Sequence, residues 1–211
     1  VAVFPLLSEY FSKNDLPGFI KTLQHTLIRI LYFVVPITIL LLLLRAHIVR
    51  LLLGYGKCDW NCTITTFDTL GVLALGLVAQ SLIPLFARAF YARQNTKTPV
   101  AISLIGMIVN IILSYSLAQG LGIVGVALGF VIASTIQCIL LFVALHRSFI
   151  SNKSVDINTL RVFDNVIVTQ SFKILLSSIM LGGVSYLTLY LVDPFLNTHT
   201  VLGIFMQASI A

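Results

Sequence analysis

The sequence predicts an all-α, polytopic membrane helix bundle, and three observations carry that reading. Hydrophobic residues make up 58% of the 211 positions and charged residues only 9%, against about 25% charged in soluble domains. The apolar residues come in runs long enough to cross a bilayer, which takes about 20 residues per helix. The connections between runs alternate between a side rich in Lys and Arg and a side poor in them. That is the asymmetry of cytoplasmic and outer loops.

The runs can be taken in order. Residues 1–12 read as the inner end of a helix. Lys13 to Gly18 is a turn in which Asp15 can cap a new helix with Pro17 in its first turn, where a missing N–H costs nothing. Phe19, Leu23, Leu27, Ile30 and Leu31 then share one helical face, a pattern that suits a segment lying along the membrane surface. The first complete span is about 28–44, and Pro36 should kink it. Arg45 to Asp68 is an outer connection in which Arg45, His47 and Arg50 can snorkel. The second span is 69–87. A short basic turn with Arg88, Arg93 and Lys97 follows, after which Thr98 and Pro99 are expected to start the next helix. The run Thr98–Leu145 is too long for one crossing, and Gln119-Gly120-Leu121-Gly122 divides it into spans 99–118 and 123–145. Gly125 and Gly129 form a GxxxG, which permits close helix contact. Residues 148–171 read as a cytoplasmic linker with an amphipathic helix. A fifth span covers 174–192, and 201–211 begins another helix. Five complete spans with a partial helix at each end are therefore expected. The sequence opens and closes inside apolar segments, so a longer membrane protein is expected around it.

Of the 13 Lys and Arg residues, ten fall on the side of the Arg88–Lys97 turn and three (Arg45, Arg50, Lys57) on the other, which places the turn in the cytoplasm. The net charge of +6 therefore reports topology. The basic residues flank apolar runs and form no patch, so nucleic acid is not an expected partner. Cys58 and Cys62 lie in the outer connection. Their spacing permits a disulfide without requiring one, and the outward location favours it. Neither a second Cys pair nor a nearby His completes a zinc site, and no metal is assigned.

No catalytic constellation or phosphate-binding loop is visible, which argues for a transporter rather than an enzyme. The groups at mid-membrane depth are neutral. Asn110 is the most telling, set midway along an apolar helix, with Gln80 and Gln137 next. Each can serve as an interhelical hydrogen bond or as a group facing a cavity or ion.

The stretch Phe90-Tyr91-Ala92-Arg93-Gln94-Asn95-Thr96-Lys97-Thr98-Pro99-Val100 resembles the hairpin of the lipid II flippases of the MurJ/MviN family, with Asn95 in place of an acidic residue. Phe4 to Ser8, Ile48 to Leu52 with Tyr55-Gly56-Lys57, and Gly125 to Leu128 are similar to further stretches of that family. The resemblance covers about residues 1–147. It implies a MATE/MOP-like fold, in which 1–147 runs from the end of helix 8 to helix 12 of the C-terminal lobe, and 172–211 is helix 13 and the start of helix 14. It implies transport of undecaprenyl-linked lipid II across the bacterial cytoplasmic membrane by alternating access, for peptidoglycan and hence cell wall synthesis and cell shape. Membrane lipids and the cell-wall synthesis machinery are the further partners it implies. Arg88, Arg93, Gln94 and Lys97 then fall at the cytoplasmic gate. Helices 13 and 14 are implied to contact the lipid tail. Asn110, Ser114, Val126 and Phe130 fall where some members bind sodium, so coupling to Na+ or to the membrane potential is implied without any resident cofactor. Phe130 offers no side-chain ligand there. The rival readings are another exporter of the same superfamily (a polysaccharide flippase or a drug/cation antiporter), a polyprenyl transferase, and a divisome scaffold.

Overall fold

The computed structural model describes residues 3–53, 60–150 and 157–192, and the side chains among them other than 50–53, 60–61, 157–164, 189–190 and 192. These residues form five helices: α1 (Val3–Ser12), α2 (Leu16–Leu53), α3 (Trp60–Ala92), α4 (Lys97–Ile150) and α5 (Ile157–Val192). Helix α2 packs against α3 and α5, α3 packs against α4, and α1 covers α2 and α3. The order across the bundle is thus α5, α2, α3, α4.

Four helices are long and apolar enough to cross a membrane. One of them, α4, is 54 residues long and leaves helical geometry at Gly122, with φ 60° and ψ −134°. Such a positive φ suits glycine, which has no Cβ to clash. The chain reverses there, and arms 97–121 and 123–150 lie against each other. Gln137 Nε2 on the second arm donates to Ser103 Oγ on the first at 3.1 Å. A Cβ on Gly129 would stand 2.6 Å from the backbone nitrogen of Ser114, and one on Gly125 would collide with the carbonyl of Leu117. The GxxxG is therefore what lets the arms approach. Counting α4 twice, the described residues hold five crossings.

Two caps set the turn between α1 and α2. Asn14 has φ 56°. The Asp15 amide donates to the Tyr10 carbonyl at 3.0 Å and the Asn14 amide to that of Phe11 at 3.1 Å. This left-handed cap closes α1. Asp15 then caps α2, its Oδ1 accepting from the Gly18 amide at 3.0 Å.

The stripe Phe19, Leu23, Leu27 and Leu31 does not lie on a membrane surface as expected. All four are buried, and they belong to the main core with Leu7, Phe86, Phe90, Leu141 and Phe149. The periodicity was real, but α1, α3 and α4 cover the stripe. Helix α2 is continuous through Pro36. Likewise α4 runs on to Ile150 and α5 begins at Ile157, so the far part of the 148–171 linker joins the last span without a helical break.

Candidate functional site

The turn between α3 and α4 is built by the residues singled out in the sequence. Gln94 has φ 58°. Its amide donates to the Tyr91 carbonyl at 2.9 Å, and the Asn95 amide donates to Phe90 at 3.1 Å. This repeats the left-handed cap at Asn14, so Gln94 has a backbone role as the end of α3. Asn95, rather than Thr98, supplies the next cap. Its Oδ1 accepts from the Thr98 amide at 3.3 Å and lies 3.2 Å from the Thr98 hydroxyl. An amide oxygen here does what a carboxylate would do. Pro99 is buried in the first turn of α4.

The four residues of the expected gate do not converge. Arg88, Gln94 and Lys97 are exposed. Arg93 turns inward: its Cζ lies 5.0 Å from the centre of the Phe149 ring. Its Nη2 donates to the Ser148 carbonyl at 3.4 Å. Phe149 in turn meets Phe19 edge-on, with centroids 6.0 Å apart. Arg93 thus ties the end of α3 to the C-terminal end of α4, where the helix dipole favours a cation. Burial pushes its guanidinium below the usual value, yet an arginine stays charged at any physiological pH.

The polar groups of α4 do converge. Ser114 Oγ donates to Asn110 Oδ1 at 2.9 Å and stands 3.4 Å from the Val126 carbonyl oxygen on the other arm. Three neutral oxygens meet at the point where Gly129 admits the close contact. Phe130 contributes no ligand there: its carbonyl accepts from the Ser134 hydroxyl at 2.7 Å. Gln80 and Gln137 have structural partners, Gln80 Nε2 donating to Ser134 Oγ at 2.6 Å. Among the described residues no group of three or more His, Cys, Asp or Glu could hold a metal ion.

Near the start of α3 Cys62 is disulfide-bonded, Cys138 in α4 is free, and Cys58 lies outside the described residues. Arg45 Cζ sits 3.9 Å over the Phe67 ring of α3.

The family described as Lipid II flippase MurJ matches residues 1–205. The chain belongs to that family. Its members are flippases, which are transporters rather than enzymes. A probable lipid II flippase MurJ of Rhizobium tropici is 30% identical over 173 residues, 82% of this chain and 31% of that protein. One of Thermotoga maritima is 32% identical over 149 residues, 71% of this chain and 31% of the relative. A solved structure, of lipid II flippase MurJ in an inward closed conformation, superposes with a TM-score of 0.72 at 26% identity. It takes in the whole of this chain and 40% of the other. The chain thus spans less than a third of those two relatives and shares the MurJ membrane-bundle fold. Together with its apolar helices, this makes it a multi-pass protein of the bacterial inner membrane.

Ser178 and Ser185 are neutral polar groups at membrane depth in the sequence, but the face they form shows only in the fold. Each is 2% exposed, and among the described residues their hydroxyls have no hydrogen-bond partner. The available signal was the small-residue spacing Ser178, Gly182, Ser185 on one side of a helix.

Proposed function

We propose that the chain is the portion from the end of helix 8 to the start of helix 14 of a lipid II flippase, which carries the undecaprenyl-linked precursor to the outer leaflet by alternating access. The observation that supports this most is the family match over residues 1–205. In this reading the α3–α4 turn is a rigid inner corner of one lobe. Arg93 holds the corner together, while Arg88 and Lys97 remain available to lipid phosphates or to the opposing lobe. Helix α5 provides surface for the lipid tail. Cell-wall synthesis enzymes are the expected consumers of the delivered substrate.

The oxygens of Asn110, Ser114 and Val126 suit part of a sodium shell, since backbone carbonyls and neutral side chains are what transporters use for that ion. They supply no carboxylate, so further ligands would have to come from outside the trio. When bound, the ion would favour the state in which the two arms of α4 are closed on it.

The test is depletion of the full-length protein in a host with no other flippase. Lipid II should then accumulate in the inner leaflet and become inaccessible to a probe added outside. Unchanged outer-leaflet lipid II refutes the assignment. For coupling, replacing Na+ by K+ should slow transport by the native protein, and Ser114→Ala should remove that difference.

A further inference from the structure

Helix α2 carries a proline at the point where its two halves are held by different partners. In the N-terminal half Phe19, Leu23, Leu27 and Leu31 are buried in the core with residues of α1, α3 and α4. In the C-terminal half the close contact is with α5: a Cβ on Gly182 would stand 2.7 Å from Ile39 and 3.4 Å from Leu43. Pro36 falls between these two holds, and the helix runs unbroken through it. Proline has no N–H, so the Tyr32 carbonyl one turn earlier loses its ordinary helical donor. That carbonyl opens beneath the Pro36 ring, and in a bilayer an unpaired carbonyl is costly. Tyr32, Pro36 and Ser178 line one cavity of about 490 Å³ between α2 and α5.

Other hydroxyls of the chain show what Ser178 lacks. Thr26, Thr38, Ser134 and Thr135 each donate to the carbonyl four residues earlier, at 2.7 or 2.8 Å, a common recourse for a hydroxyl inside a helix. The Ser178 hydroxyl makes no such bond, has no other partner among the described residues and is closed off from solvent. It therefore faces protein and not the open part of the groove. We propose that α2 bends at Pro36 between two states, and that the Ser178 hydroxyl latches the bent state by donating to the Tyr32 carbonyl. In hydrocarbon, where water cannot serve, each of these groups is the partner that the other lacks. The cavity supplies the volume into which the bend closes. The Gly182 contact keeps α5 with the C-terminal half of α2, while the N-terminal half stays in the core, so Pro36 is where the two bodies turn against each other. Ser178 is unbonded in the structure, which is thus the unlatched state. The inference concerns the conformations of the bundle and does not depend on what the protein transports.

The experiment is double electron–electron resonance on the full-length protein in lipid bilayers, with spin labels at two exposed positions, Glu9 on α1 and Leu187 on α5. The native protein should give two distances. Pro36→Ala restores the missing N–H and should leave only the unlatched one. Ser178→Ala should lower the latched population about fivefold, the effect of one hydrogen bond. Ser185→Ala is the control: its hydroxyl is equally buried and unpaired but lies about two turns further along α5, and the populations should not move. A single distance in the native protein, or two distances persisting in Pro36→Ala, overturns the hinge. Unchanged populations in Ser178→Ala, or an equal shift in Ser185→Ala, overturn the latch.

Discussion

The two sides of α2 are packed on different principles. Toward α3 and α4, at the end that carries the α3–α4 turn, it meets a layer of large side chains. Phe19, Phe90, Phe149, Leu23 and Leu141 are all but inaccessible, and Arg93 lies over one of the rings. Toward α5 it meets Ser178, Gly182 and Ser185, with a close backbone approach at one level and a cavity at the next. Lipid is as apolar as leucine, so hydrophobicity alone cannot hold either contact together in a bilayer. The first side is held by interlocked volume and one cation. The second depends on proximity made possible by small residues, and leaves polar groups and space for something else. A corner filled by large side chains and a seam set by small ones follow from that contrast.

Breaking the aromatic layer should have the largest effect. Phe149→Ala removes the ring shared by Phe19 and Arg93 and should cost about 3 kcal/mol, read as a fall in unfolding free energy in mild detergent. Gly182→Val should come next, because the added methyls meet Ile39 and Leu43. An overpacking cost of about 2 kcal/mol is expected, with a longer distance between spin labels on α2 and α5. If that distance is unchanged, the seam is not set by Gly182. Arg93→Gln keeps a hydrogen-bond donor but removes the cation, and should cost about 1 kcal/mol. Arg93→Lys should recover part of it, which a purely steric role would not allow.

The smallest effect is expected at the Glu9–Lys13 pair of α1, 2.6 Å apart and exposed on both sides. The Lys13 hydrogen bond and charge lower the Glu9 carboxyl below its ordinary 4.5. A lowered carboxyl stabilises the fold above the unfolded value and loses that contribution as pH falls through the folded one. Glu9→Gln should therefore leave the melting temperature at neutral pH within measurement error. Any residual difference from the native protein should vanish in acid. Exposed pairs of this kind are screened and contribute little.

Much of this was legible in advance for local reasons. The Asp15 cap, the glycine break at 122 and the GxxxG approach depend on a few neighbouring residues and appear where the sequence places them. The Asn95 cap was the exception. Thr98 and Asn95 are both good caps three residues apart, and only the path of the backbone chose between them. The periodic stripe from Phe19 to Leu31 was also readable as a face, but not what covers it. A stripe looks the same whether lipid, water-facing headgroups or three other helices lie against it.

The sequence by itself determined that this chain is a helical membrane bundle, where the crossings of its described residues fall and the family to which it belongs. Those properties follow from hydrophobic run length and a contiguous motif, both of which are local or additive along the chain. Only the tertiary structure decided that Arg93 is a clamp while Arg88 and Lys97 stay free of it. It alone brought Asn110, Ser114 and Val126 to one point and opened a cavity where Pro36 faces Ser178. Each of these depends on which residues of distant segments stand at the same height, and helix spacing cannot supply that height.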